Sequence, residues 1–243
     1  GRIDELPDGV ECESVGLGGT EVCGSRDDSD LCKCHVLHGE GGVLAYIGEK
    51  TKNTDDTKGN TVRKIAVINE NSQSAKNAQI YEILKEEAEK AGHTVDNYGM
   101  YSAEDETQLT YVKNGLLASI LLSSGAADFV VTGCGTGQGA MLACNSFTNV
   151  LCGHITNPLD AFLFGQVNDG NCIAMPVAQG FGWGAEINLR STFDKLFSEP
   201  FGGGYPQARR DSTQRDKTIL EQVQKATKPP INTLLKTIHQ EFL

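Results

Sequence analysis

The sequence predicts an α/β domain built on a doubly wound parallel sheet of five strands. Short apolar runs rich in Val and Ile alternate with longer stretches of helical periodicity. The runs are apolar at almost every position, as strands buried on both faces are. One run passes directly into a glycine-rich turn, Gly133-Cys-Gly-Thr-Gly-Gln-Gly139, with a helical pattern behind it.

The regular pattern starts at Arg63. Lys64-Ile-Ala-Val-Ile68 reads as the first strand. Residues 75–91 carry Ile80, Ile83, Leu84 and Ala88 at helical spacing, and Gly92 is a natural stop. His93–Tyr98 reads as the second strand, 109–123 as a helix and Asp128–Thr132 as the third strand. A helix is expected over 138–146, a fourth strand over 149–152, and a helix opened by Pro158 at its first turn and running to about Val167. Residues 171–175 form the fifth strand, and helices over 184–197 and 213–225 close the chain. Helices then cover both faces, in a Rossmann-like arrangement. Ligands bind such sheets at the carboxyl ends of strands, near a switch in strand order. Asn69, Glu70, Cys134, Thr156 and Asn157 fall at such ends.

The turn at 133–139 carries the chemistry. Gly135, Gly137 and Gly139 let the backbone approach a ligand, and amides entering a helix form an anion site. Cys134 adds a group able to exchange protons or act as a nucleophile. The dinucleotide fingerprint is missed, because Gln138, Ala140 or Leu142 stands where the third glycine belongs. No Lys-Ser/Thr follows, which excludes a P-loop.

The chain has 243 residues and a net charge of −11, which argues against a nucleic-acid partner. No apolar run approaches ~18 residues, so no transmembrane helix is expected. Gly1–Asp8 does not read as a signal peptide, and a cytoplasmic setting is expected. Residues 1–62 differ in character, being irregular and rich in Gly, acids and Cys; they read as an extension and linker before an α/β domain over 63–243. Only 42–48 there resembles a strand. Cys12, Cys23, Cys32, Cys34, His35 and His38 have metal-ligand types, but Cys-x-Cys is shorter than standard zinc spacing. Zinc, disulfides and an incidental cysteine-rich segment all remain open. Cys144, Cys152 and Cys172 read as reduced core cysteines.

Residues 64 to about 225 resemble the ribose-5-phosphate isomerase B family, which includes galactose-6-phosphate isomerase subunits. The likeness rests on Lys64-Ile-Ala-Val, on Thr132-Gly-Cys-Gly-Thr-Gly-Gln-Gly-Ala-Met, on Asn157-Pro158, and on Asn168-Asp-Gly-Asn-Cys-Ile-Ala. The resemblance implies an aldose–ketose isomerase of sugar phosphates, without metal or organic cofactor, dimeric or tetrameric, with active sites at a subunit interface. It implies that Cys134 is the base, moving a proton between C1 and C2 through a cis-enediolate. Thr136 and the amides at Gly135, Gly137 and Gly139 would stabilise the oxyanion. Tyr111 and Asn168 would contact substrate, and Arg209, with Arg210 as substitute, would hold phosphate.

Three positions depart from the family pattern. Glu70-Asn71 stands where Asp-His is usual, Val167 where a ring-opening histidine is expected, and Tyr205 in place of one arginine. Val167 transfers no proton, so either another group such as His154 opens the ring or the substrate has no ring to open. A tetrose phosphate is one such substrate. Glu70 reads as an acid/base or as a capping carboxylate, and Asn71 as a substrate contact. Two other functions stay open: a thiol-dependent hydrolase or transferase pairing Cys134 with His154, and a sugar-phosphate sensor without catalysis.

Overall fold

The computed structural model describes residues 62–238 and, in backbone only, strand segments at 11–14, 21–24, 38–39 and 42–43. Those segments pair as two small antiparallel ladders, 11–14 with 21–24 and 38–39 with 42–43. The side chains of Cys12, Cys23, Cys32, Cys34, His35 and His38 lie outside the described residues, as does most of the strand expected at 42–48.

The main sheet has strands β1 (Lys64–Asn69), β2 (Thr94–Asn97), β3 (Phe129–Cys134), β4 (Cys152–His154) and β5 (Cys172–Pro176). Their spatial order is β2-β1-β3-β5-β4, and every pairing is parallel. The helices are α1 (Asn77–Lys90), α2 (Tyr111–Ser124), α3 (Gln138–Ser146), α4 (Pro158–Leu163), α5 (Ala185–Phe197), α6 (Arg210–Thr227) and α7 (Ile231–Thr237).

The period of two along each strand divides the core. Ile65, Val67, Phe129, Val131, Ile173 and Met175 face one side, where Ile80, Ile83 and Leu84 of α1, Ala161 of α4, and Leu189 and Phe193 of α5 cover them. Ala66, Ile68, Val130, Cys172 and Ala174 face the other, under Leu117, Ala118 and Leu121 of α2 and Ala140 and Cys144 of α3. Every residue of β3 is buried. That is why its sequence is apolar almost throughout instead of alternating, with the one polar side chain, Thr132, donating its hydroxyl to the Ile68 carbonyl. The expected helix face of α1 (Ile80, Ile83, Leu84, Ala88) is buried as its spacing requires.

Local signals set the ends. Asn157 caps α4 by accepting from the Leu159 and Asp160 amides at 2.9 and 3.1 Å, with Pro158 in the first turn. Three boundaries differ from expectation. β3 continues through Gly133 and Cys134, because Met175 and Pro176 of β5 supply ladder partners that far. β4 begins at Cys152 rather than Asn149, because Asn149 turns the chain at φ 58°. The side chain of Asn171 then accepts from the Leu151 amide at 2.8 Å. The helix expected at 213–225 starts at Arg210, led in by a turn over Gln207–Arg209, and α7 follows it unforeseen.

α3, which begins at the glycine-rich turn, packs backbone-to-backbone on α2 at Gly115. A methyl group there would stand 2.8 Å from the Ala143 carbonyl carbon. Gly115→Ala is therefore expected to reverse the usual gain of ~0.5–1 kcal/mol for removing a helical glycine. It should destabilise by about 1–3 kcal/mol, as overpacking does, read from urea unfolding. A second prediction concerns His93, buried edge-on to Phe197 at 5.2 Å between centroids. Burial, and secondarily Arg63, lowers its pKa below the ordinary 6.5. The unfolded chain therefore takes up this proton first as the pH falls. Stability from this site is full above pH 6.5 and declines as the pH drops from there toward the lower folded value. Urea midpoints between pH 7.5 and 5 should show that decline in the wild type and a smaller one in His93→Gln.

Candidate active site

The chain passes from β1 to β2 on one side and to β3 on the other, so the order switches between β1 and β3. A crevice opens at their carboxyl ends. Asn69 pairs with Gly133, which puts Glu70 and Cys134 side by side at the ends of the two strands. Cys134 is 6% exposed. Its carbonyl accepts from the amides of Gly137 at 3.3 Å and Val177 at 2.9 Å, and the Gly135 carbonyl accepts from Ala178 at 2.9 Å. The loop after β5 thus fixes the turn from one side. Among the described residues the amides of Gly135 and Thr136 find no backbone acceptor. They stand with the first turn of α3 as donors free for an anion.

Gly137 caps α3 with φ 74°. The His154 ring occupies the space beside it: a methyl at Gly137 would lie 2.7 Å from His154 Nε2. His154 Nε2 is 2.9 Å from the Thr136 carbonyl, and its Nδ1 is 3.4 Å from Gln138 Nε2. A neutral ring protonated at Nε2 satisfies both contacts, donating to the carbonyl and accepting from the amide. His154 therefore braces the turn, with both nitrogens engaged there and neither on the Cys134 thiol.

Tyr111, at the start of α2, lays its ring against Gly139, whose added methyl would meet Tyr111 Cε2 at 3.3 Å. Asn71 donates its amide to the Leu109 carbonyl at 2.8 Å, tying the end of β1 to the start of α2. Glu70 is buried, and its carboxylate accepts from the amide of Ser72 at 2.8 Å and from the Ser72 hydroxyl. The capping role left open by the sequence is thus filled. Cys134, Gly135, Thr136, Gly137, Gly139, Tyr111, Glu70 and Asn71 all gather at this end.

Two further groups belong here and carried no motif. Asn114, fully buried, donates to the Ile68 carbonyl at 2.9 Å and lies 3.3 Å from Thr132 Oγ1, while its Oδ1 has no partner among the described residues. Lys76 donates to the Val177 carbonyl and, at 2.7 Å, to Gln73, with its ammonium 4.8 Å above the Phe181 ring. It is a cation bridging the segment after β1 to the loop after β5. Its only sequence signal is a basic residue after the first strand.

Asn168, Arg209 and Arg210 lie elsewhere. Cys134 is four residues beyond Val130, the partner of Cys172, so the start of β5 is ~13 Å away along the sheet. Asn168 ends a π-turn (Phe164–Asn168) just before that start. Its neighbour Asp169 accepts from Lys217 Nζ at 2.7 Å, which ties α6 to the same edge. Arg209 and Arg210 are exposed at the N-terminus of α6, with no carboxylate partner among the described residues. Asn168 and Val167 also line a cavity of about 390 Å³ at this edge.

The sulfurs of Cys144, Cys152 and Cys172 lie within 4.8 Å of one another, all buried and unpaired by disulfides. Hydrogen bonds from Cys152 and Cys172 hold the Cys144 thiol below its ordinary value, and burial pushes the other two up.

Residues 65–212 match the ribose/galactose isomerase family. The chain belongs to this family. A 4-deoxy-L-threo-5-hexosulose-uronate ketol-isomerase, solved with a tartrate, is 56% identical over 74% of this chain and 84% of its own, with a TM-score of 0.72. A ribose-5-phosphate isomerase from Vibrio parahaemolyticus is 47% identical over 74% of this chain and 85% of its own, also at 0.72. A type B ribose 5-phosphate isomerase from Trypanosoma cruzi, 19% identical with a TM-score of 0.53 over 65% of this chain and 97% of its own, shares the fold. No curated protein sequence matches. The chain is thus an isomerase of the aldose–ketose type, and no helix among the described residues is long and apolar enough to cross a membrane.

Within this isomerase the turn at Gly137 is the most constrained element of the crevice. Gly137→Ala is expected to cost ~1–2 kcal/mol for the left-handed backbone, plus collisions with the His154 ring and with the Met175 backbone carbon, 2.8 Å from the added methyl. Adding His154→Ala should relieve only the His154 part and leave the backbone term and the contact with Met175. Urea unfolding of the two variants, with His154→Ala alone as reference, checks the difference.

Proposed function

We propose that the protein interconverts an aldose and a ketose by moving a proton between C1 and C2 through a cis-enediolate, with Cys134 as the base. The single observation that carries this reading is the placement of a buried thiol at the end of a central strand, beside two unclaimed amides and a helix N-terminus. As the proton leaves carbon, charge develops on the carbonyl oxygen. The Gly135 and Thr136 amides and the start of α3, with the Thr136 hydroxyl, are preorganised to receive it. Glu70 and Asn71 border the crevice from β1 and would order substrate hydroxyls. Tyr111 would close its α2 side.

The substrate on this reading is an acidic sugar of four to six carbons in its open-chain form. Asn168, Arg209 and Arg210 would complete the site from a second copy of the chain, since within one copy they lie at the opposite edge of the sheet. Leu142, Leu159, Trp183 and Ile187 are exposed apolar side chains that fit burial in such an assembly. Paired arginines at a helix start suit an anionic group. A phosphate is the anion suggested by the family and by the Vibrio relative. A carboxylate is favoured by the uronate isomerase at 56% identity and by Tyr205 standing for an arginine. Val167, where proton transfer would serve ring opening, suits an open chain in either case.

Proton NMR in deuterated water tests the reading with ribose 5-phosphate, tetrose phosphates and a hexosulose uronate in parallel. Deuterium should enter C1 or C2 of one class. Cys134→Ala should slow exchange by ~10²–10⁴-fold while leaving binding in place. Binding of every sugar without exchange would make the protein a sensor. Exchange unaffected by Cys134→Ala would remove the thiol from the chemistry. Mixing Cys134→Ala with Asn168→Ala subunits should restore turnover if the site is shared.

A further inference from the structure

The cysteines at 144, 152 and 172 come from three separate elements and converge on one point. Cys152 and Cys172 are direct partners across the β4–β5 ladder, so their side chains leave the same face of the sheet. α3 crosses that face and supplies Cys144 from above. Their sulfurs lie within 4.8 Å of one another. A cation about 2.3 Å from three sulfurs spaces them about 4 Å apart, so the cluster closes on a metal with side-chain adjustment alone.

The backbone around the cluster is fixed. Asn145 donates to the Cys152 carbonyl at 2.8 Å and accepts from the Cys152 amide at 2.9 Å, clamping the start of β4 to the end of α3. Cys144 and Cys172 are fully buried, whereas Cys152 is 9% exposed. Cys152 and Asn145 also lie on the wall of the 390 Å³ cavity that opens at the amino edge of the sheet. The cluster therefore has rigid ligands, a route of entry and space beside one ligand.

We infer that Cys144, Cys152 and Cys172 form a three-thiolate site for a soft divalent cation of the zinc class, at the opposite strand ends from the Cys134 crevice of the same copy. Binding releases the three thiol protons to solvent as three metal–sulfur bonds form. Three thiolates around a divalent ion leave one net negative charge in the core, and around a monovalent ion two, so burial favours the divalent ion. The fourth tetrahedral position falls to water from the cavity. The site ties α3, β4 and β5 together at the amino ends of the strands, on the same face as Cys134 but at the other end of the sheet.

The test uses the full chain with Cys12, Cys23, Cys32 and Cys34 changed to Ser, so that Cys134 is the one thiol left besides the three proposed ligands. The reduced, metal-free protein is titrated with zinc(II) against a chelating dye. One zinc per chain is expected. Cys144→Ser, Cys152→Ser and Cys172→Ser, added singly, should each weaken binding by more than the ~100-fold that changes outside the ligand shell cause. Cys134→Ala should leave the titration unchanged. Cobalt(II) bound to the parent protein, with its core intact, should show thiolate-to-metal bands of three-sulfur intensity, so poor folding of a core variant does not decide the outcome. No zinc uptake, or a cobalt spectrum without thiolate bands, overturns the inference and leaves three packed thiols.

Discussion

The parallel pairing of β3 with β5, maintained to the last residue of β3, is the constraint on which the rest depends. It carries Cys134 to the edge of the crevice with its backbone still in the ladder, opposite Pro176. The next amide after that strand, Val177, then donates to the Cys134 carbonyl, and Ala178 to that of Gly135. The turn is held by the sheet itself, so its remaining amides can point to a ligand without losing structure. A buried strand flanked on both sides gives this rigidity, because every backbone group already has a partner.

Around that ladder the molecule separates its functions by strand end. The carboxyl ends gather the thiol, the unclaimed amides and Tyr111. The amino ends gather Asn168, the arginines of α6 and the cavity. One copy thus presents two unlike faces, which makes association of two copies a natural way to assemble a complete site. His154 shows how closely the first face is fitted. Its ring fills the space left by Gly137 and joins β4 to the turn, so an edge strand contributes to a centre built on β1 and β3.

The core cysteines illustrate the same economy. As single residues each is an ordinary small apolar side chain. Brought together by one ladder and one crossing helix, they become a set of soft ligands with a solvent-connected wall beside them. Nothing in their sequence spacing, 144, 152 and 172, matches a zinc motif, because the ligands come from three elements and not from one loop.

The sequence by itself determined the alternation of strands and helices, the face of α1, the helix start at Pro158, and the glycine-rich turn with its cysteine. These are local matters of periodicity, propensity and backbone freedom, readable a few residues at a time. It left open whether Glu70 caps or reacts and whether His154 opens a ring. It ended β3 two residues early, at Thr132, and left open where Asn168 and Arg209 stand relative to Cys134. Only the tertiary structure decided that Ser72 occupies Glu70, that both nitrogens of His154 serve the turn, and that β5 extends β3 through Cys134. It alone put Asn168 at the opposite edge and brought Cys144, Cys152 and Cys172 within reach of one another. Each of these depends on contacts between residues far apart in the chain, and strand order, which sets them, leaves no local trace in sequence.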